Sequence, residues 1–357
     1  MTGTRIGAML RTLMLLPVLL ATAVTAAPAD ELRFLTWADY IAPEVLAKFE
    51  RETGHHVTVV PVVSGERLLT GLRENAGGLD IANPLDHHMP PLIAEGKLEK
   101  IDADTLPHYS TIDEPWRRPP YDRHNGYSIP LHWGTTSFVV DTAVYHGGID
   151  TYRLLFDPPP ELKGRISFLT GAPEVIRMAL MFLGLPSCST DPDHVRRALE
   201  LIRANVNPAQ VTTIEDNIDR ISGGAIGAGI AWNGDALRAR MARPSLRYAY
   251  PREGVLVWAD ALVVPKGAPH KAAALAFLDF MLRPENAALQ TSFNHYANAI
   301  RDSDALLTPD IAEAPEVIVR STAKILYLSY CGGFVLNQYE RAYNEVLGRT
   351  SEGRPIK

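Results

Sequence analysis

Apolar residues recur along this chain in two alternating rhythms, short β-type runs and longer helical patterns, which is the signature of an α/β layered fold. Leu32–Trp37 reads as a first strand. Pro43–Glu52 follows as a helix, with proline near its first turn and Gly54 just past its end. His56–Val63 reads as a second strand, Leu68–Glu74 as a helix, and Leu79–Asn83 as a short buried strand ended by Pro84. Tyr127–Val140 is a further strand region, leading into a stretch punctuated by Pro158, Pro159 and Pro160. Helical patterns then cover Glu174–Leu183, His194–Ala204, Asp235–Met241, Lys271–Leu282 and Glu340–Leu347, the fourth ending before Pro284. Strand patterns cover Ala225–Trp232, Leu246–Tyr250 and Val255–Pro265. No repeat or low-complexity tract interrupts the alternation.

Three aromatic–acid pairs fall at or just beyond the ends of those strands or at strand junctions: Trp37 with Asp39, Trp232 with Asp235, and Trp258 with Asp260. They use three of only five tryptophans. A two-residue offset in a strand puts both side chains on one face. An indole face beside a carboxylate suits an organic ammonium, because the ring quadrupole attracts the charge and the carboxylate accepts its N–H bonds. In open α/β sheets, strand ends are where ligand clefts form. Asp39 and Tyr40 lie on the turn before the helix begun near Pro43. A helix N-terminus is partially positive, so a cation there needs Asp39 to reverse the local sign. The competing reading, core tryptophans with solvated aspartates beside them, stands for any single pair and weakens for three.

The first residues change the picture of where the protein works. Arg5 and Arg11 give a basic start, Met9–Val24 is almost wholly apolar, and Val24-Thr25-Ala26 has the small-residue form of a cleavage site. Residues 1–26 are therefore expected to be a cleaved secretory signal, placing the mature protein in a bacterial periplasm or outside the cell. No cysteine follows the apolar run, which disfavours a lipid anchor. Cleavage would remove two arginines and no acid, moving the formal net charge from −6 to −8. That balance argues against nucleic acid and anionic membrane as partners and favours cationic ligands. The length suggests two domains. Cys188 and Cys331 are the only cysteines, and an oxidising compartment would permit a bridge between them, which spacing alone leaves open.

More specific motifs follow in order. Trp37-Ala38-Asp39-Tyr40-Ile41-Ala42-Pro43 with Phe49-Glu50-Arg51-Glu52-Thr53-Gly54 is one. Tyr127-Ser128-Ile129-Pro130 with Trp133-Gly134, and Ile230-Ala231-Trp232-Asn233-Gly234-Asp235, continue it. Pro251-Arg252-Glu253-Gly254, Trp258-Ala259-Asp260, Phe280-Met281-Leu282-Arg283-Pro284 and Tyr296-Ala297-Asn298-Ala299 complete it. As a set these motifs resemble the bacterial periplasmic spermidine/putrescine-binding proteins of ABC importers. The likeness covers nearly the whole mature chain and is vague between about Asp302 and Leu326.

The resemblance implies a two-lobed, type II solute-binding fold with a hinged ligand cleft and no cofactor. It implies a first lobe of 27–137 and 260–305 and a second of 138–259 and 306–357. Trp37 and Tyr40 would be aromatic walls of the first lobe, with Asp39 an ammonium acceptor. Trp232 would be a wall of the second, Asp235 the acid of the putrescine-type subgroup, and Trp258 with Asp260 a further wall and the second principal carboxylate. Glu174 and Tyr296 match further acidic and aromatic positions. His87 falls where the family presents a cleft-facing tyrosine. The expected partners are a small polyamine and an ABC permease, with the receptor itself a monomer.

The departures bear on the guest. Leu85 stands where the family has a serine, followed by Asp86, His87 and His88, and Gly171 stands where spermidine-type members carry an aspartate. Ala38 replaces a hydroxyl residue. Together these favour a putrescine-like diamine over spermidine, with Asp86 as a candidate substitute for the missing acid. A different amine, or a metal-binding receptor on the same fold, remains a rival; adjacent histidines in a strand point to opposite faces and make poor joint ligands. An anion receptor would want arginines in the cleft, which reads instead as acidic and aromatic. The enzyme reading would need paired carboxylates such as Asp235 and Asp260 to flank a sugar. The chain has no nucleophile elbow and no His-Glu-x-x-His helix.

Overall fold

The computed structural model describes residues 1–3, 30–75, 77–213, 216–317, 324–327, 331–350 and 354–356. Apart from its first three residues, the expected signal peptide lies outside these.

Ten strands are present among the described residues: β1 (Glu31–Trp37), β2 (His56–Val62), β3 (Ile81–Ala82), β4 (Ser128–Asp141), β5 (Ile166–Leu169), β6 (Val211–Thr212), β7 (Ala228–Trp232), β8 (Leu246–Tyr248), β9 (Val255–Val263) and β10 (Ile325–Tyr327). They are flanked by helices α1 (Pro43–Thr53), α2 (Gly65–Glu74), α3 (Met89–Ala94), α4 (Arg153–Phe156), α5 (Glu174–Phe182) and α6 (Pro192–Arg203). Helices α7 (Asn217–Ser222), α8 (Asn233–Ala242), α9 (Lys271–Met281), α10 (Pro284–Asn294), α11 (Pro309–Ala312) and α12 (Gly332–Leu347) follow.

The strands run β2-β1-β3-β9-β4-β7-β5-β6, with β10 paired to β9 and β8 to β4. β1 lies parallel between β2 and β3 at one end, and β5 parallel between β6 and β7 at the other. Antiparallel β4 and β9 join the two ends. Both are buried along nearly their whole length, so their sequences read as continuous apolar runs rather than alternations.

Apolar burial separates around them. Phe34, Phe49, Phe277 and Phe280 pack in one core with the β1 end of the sheet. Phe138, Phe168, Ile176 and Tyr343 pack in another with the β5 end. A bridge between Cys188 and Cys331, with Cα atoms 5.1 Å apart, ties the chain beyond α5 to the residue before α12.

The expected elements differ from the observed ones in instructive places. Pro284 begins α10 rather than merely ending α9, because proline is at home in a helix's first turn, where its missing N–H is no loss. α12 begins eight residues before the expected Glu340 start, despite two glycines at its head. β3 shrinks to two residues, and β7 starts three residues later than the expected strand.

Candidate functional site

β1 ends at Trp37, and Asp39 then takes a left-handed φ of 51°, a conformation that aspartate tolerates better than most residues. This turn leaves Asp39 exposed and brings Trp37 and Tyr40 to the wall of a cavity of about 290 Å3. α10 holds the turn in place. Gln290 Oε1 accepts from Ala42 N (2.9 Å), while Gln290 Nε2 donates to Tyr40 O (2.8 Å). Asn294 Nδ2 donates to the imidazole Nε2 of His132 at 2.8 Å. Burial pushes His132 down to about 3, so its ring is the neutral acceptor on which this network depends, and it stands edge-on to Tyr40 with ring centroids 5.2 Å apart.

Asp260, on β9 at the sheet centre, is the innermost acid of the cavity and 1% exposed. The Tyr40 hydroxyl donates to its Oδ2, whereas its Oδ1 has no hydrogen-bond partner among the described residues. Burial pushes Asp260 up to about 8; the Tyr40 bond opposes that rise and the nearby Asp86 charge adds to it. Burial of this kind penalises the charged form unless a cation stands beside it. Two more aromatics stand beside it. Trp258 lies edge-on to Tyr296, 5.0 Å between centroids and 77° between planes, and its indole N–H also has no hydrogen-bond partner among the described residues. Gly134 makes room for that indole: a Cβ there would fall 2.5 Å from Trp258 Cζ2.

The opposite wall comes from the start of α8. Trp232 precedes the helix, and Asp235 sits in its first turn, where the helix dipole favours an acid. Gly234 is required between them because a Cβ would meet Tyr296 Cε1 at 2.6 Å. Asp235 already has three partners. Its Oδ1 accepts from Arg238 Nη2 at 2.6 Å and from the Tyr296 hydroxyl at 3.1 Å, and its Oδ2 accepts from Asn217 Nδ2 at 3.4 Å. Two further acids, Glu174 at the start of α5 and Glu340 on α12, line the same cavity. Glu174 Oε1 accepts from Thr136 Oγ1 at 3.2 Å, and burial raises its affinity for a proton. Burial, then the charges of Glu174 and Glu66, push Glu340 up to about 7.

Trp37, Asp39, Tyr40, His87, Glu174, Trp232, Asp235, Trp258, Asp260 and Tyr296 therefore share one cavity. Asp86 does not. It is 1% exposed, and its Oδ1 accepts from the His87 amide at 2.7 Å. The reading of a cleft without arginine is also corrected, since Arg238 lines it. The signal for Arg238 was available: an acid and a base three apart on a helix face each other. Glu340 carried no comparable signal, because only the long-range packing of α12 brings it to the cavity. Among the described residues, no three His, Cys, Asp or Glu side chains group to hold a metal ion.

Residues 44–318 match the family of bacterial extracellular solute-binding proteins. The chain belongs to that family. This solute-binding protein is 30% identical over 298 residues to the spermidine/putrescine-binding periplasmic protein of Escherichia coli, covering 82% of the chain and 85% of that relative. It is also 30% identical over 319 residues to the putrescine/agmatine-binding protein of Pseudomonas aeruginosa, covering 83% and 86%. A solved protein from Listeria monocytogenes, assigned to a spermidine/putrescine ABC transporter, superposes with a TM-score of 0.80 at 29% identity, over 89% of this chain and 99% of that one. The fold is the type II periplasmic solute-binding fold, and the family carries solutes for transport rather than transforming them.

Proposed function

We propose that this solute-binding protein captures a short-chain polyamine, a putrescine-like diamine in preference to spermidine, and hands it to an ABC permease. One observation carries the reading: Asp260, which lines the cavity with Tyr40, Trp258 and Tyr296, has a buried oxygen with no hydrogen-bond partner among the described residues. An ammonium there would gain a charge-assisted bond and aromatic faces, contributing about 1.5–3 kcal/mol and about 2 kcal/mol respectively. Names of relatives point the same way. Gly171 supports the shorter guest: at φ 70° its backbone sits where a side chain is strained, so an acid there is disfavoured.

The reading extends to the whole receptor. Residues 1–26 act as a cleaved export signal, and the mature chain works in the periplasm as a monomer. The lobes divide as 27–137 with 260–305 and 138–259 with 306–357, a partition supported by the two separate cores. A thermal-shift panel of putrescine, cadaverine, agmatine, spermidine, spermine, 4-aminobutyrate and divalent and ferric metals tests it. Putrescine should raise the melting temperature most. A response to metals alone would overturn the assignment, and a response to 4-aminobutyrate alone would redirect it.

A further inference from the structure

The acid expected to take a second ammonium already holds a cation. Arg238 Nη2 donates to Asp235 Oδ1 at 2.6 Å, one turn along α8, and among the described residues Arg238 is the only lysine or arginine lining the cavity. Asp235 is 4% exposed while Arg238 is half-buried, so water screens the pair less than it would a pair on the open surface. Tyr296 also donates to Oδ1, and Asn217 makes a long 3.4 Å contact to Oδ2. Arg238 itself is not fully committed: its Nε is buried without a hydrogen-bond partner among the described residues. Asp260 is equally buried but differs in its partners: the neutral Tyr40 hydroxyl donates to one oxygen, and the other has no hydrogen-bond partner among the described residues.

Resting on the amine-receptor reading above, we infer that Arg238 is a resident counter-ion of the cleft and the residue that sets its selectivity among amines. A guest places its first ammonium at Asp260. Its second ammonium reaches Asp235 only by displacing the guanidinium or by sharing the carboxylate with it, which sets two cations side by side in a low-dielectric wall. The second charge of a diamine therefore gains far less than it would against a bare carboxylate. The Arg238–Asp235 pair penalises the second positive charge and leaves binding of the first untouched. Discrimination of this kind works by a built-in repulsive element rather than by an added attraction.

Calorimetry with 1,4-diaminobutane and butan-1-amine separates the two ends. In Arg238→Gln the diamine should bind at least tenfold more tightly than to the wild type, and the monoamine should change by less than threefold. In an Asp235→Asn background the same substitution should lose that gain. Unchanged or weaker diamine binding in Arg238→Gln would overturn the inference and place the second ammonium elsewhere, as at Glu174 and Glu340. An equal gain for the monoamine would also overturn it, because the effect would then be one of overall charge. The wild type gives a check that needs no variant: it should prefer the diamine by no more than about tenfold, and a larger preference contradicts a resident cation. If neither amine binds either protein, the receptor reading itself falls and this inference goes with it.

Discussion

Asp260 and Glu340 are two acids whose surroundings penalise the charge they would carry. With Asp260 held up at about 8, an empty cleft at neutral pH keeps that carboxyl largely protonated, and a bound ammonium must draw its proton off. Diamine affinity should therefore rise roughly tenfold per pH unit between about 6 and 8, then flatten. It falls only when the alkylammonium itself deprotonates near about 10. Titration calorimetry in buffers of different ionisation enthalpy should show proton release on binding at pH 7; a pH-independent affinity would contradict this. Asp260→Asn should weaken binding at pH 8 by at least tenfold and flatten the same profile, since the ammonium loses its counter-charge. For Glu340, held up at about 7, the sign concerns stability. An acid whose folded value is raised costs nothing at low pH, where both states are protonated, and destabilises progressively as pH climbs from its unfolded value through the folded one. Glu340→Gln should match the wild type in urea at pH 4 and exceed it by about 2 kcal/mol at pH 8. A variant less stable at pH 8 would show that the charge is compensated.

α10 is the element on which the cleft depends and the one the hydrophobic pattern concealed. Gln290, 1% exposed, bonds both the Ala42 amide and the Tyr40 carbonyl and so fixes the turn that aims Tyr40 at Asp260. Gln290→Leu keeps the volume but strands both backbone groups. It should lower unfolding free energy by about 1–3 kcal/mol and weaken diamine binding along with it, read by urea melts and calorimetry. An unchanged affinity would detach the turn from the site. Local signals made much of the rest legible: Pro43 and Gly54 bound α1, with Gly54 at φ 78°, and the Trp–Asp offsets marked cavity residues. What failed among the helices lay at their starts. Pro284 read as a stop is a start, and the last helix, expected from Glu340, runs 16 residues from Gly332. The insertion of β9 between β3 and β4 was illegible in principle, since pairing between distant segments leaves no local trace.

At the scale of the molecule, the cavity draws walls from both ends of one sheet. Trp37, Tyr40 and His87 come from the β1 side, while Glu174, Trp232, Asp235 and Glu340 come from the β5 side. β4 and β9 run between them, and their pairing slips once, at the bulge between Pro130 and His132, beside the residue opposite Asp260. A bulge bends and twists its strand, which places a bend where the two cores meet. The disulfide acts on one side only: it holds the head of α12 to the chain after α5, so Glu340 and Glu174 travel together. A guest bridging Asp260 to the far wall would then link two bodies joined by two strands. Ligand at a hundredfold excess over its Kd adds about 2.7 kcal/mol to stability by mass action alone. If it also draws the bodies together, small-angle scattering should show a smaller radius of gyration with saturating putrescine, as hinge closure requires. Asp260→Asn should abolish that compaction at the same amine concentration. A scattering curve unchanged at saturation, in a protein that calorimetry shows to be fully bound, would mean that the cleft is preformed and the strands are not a hinge.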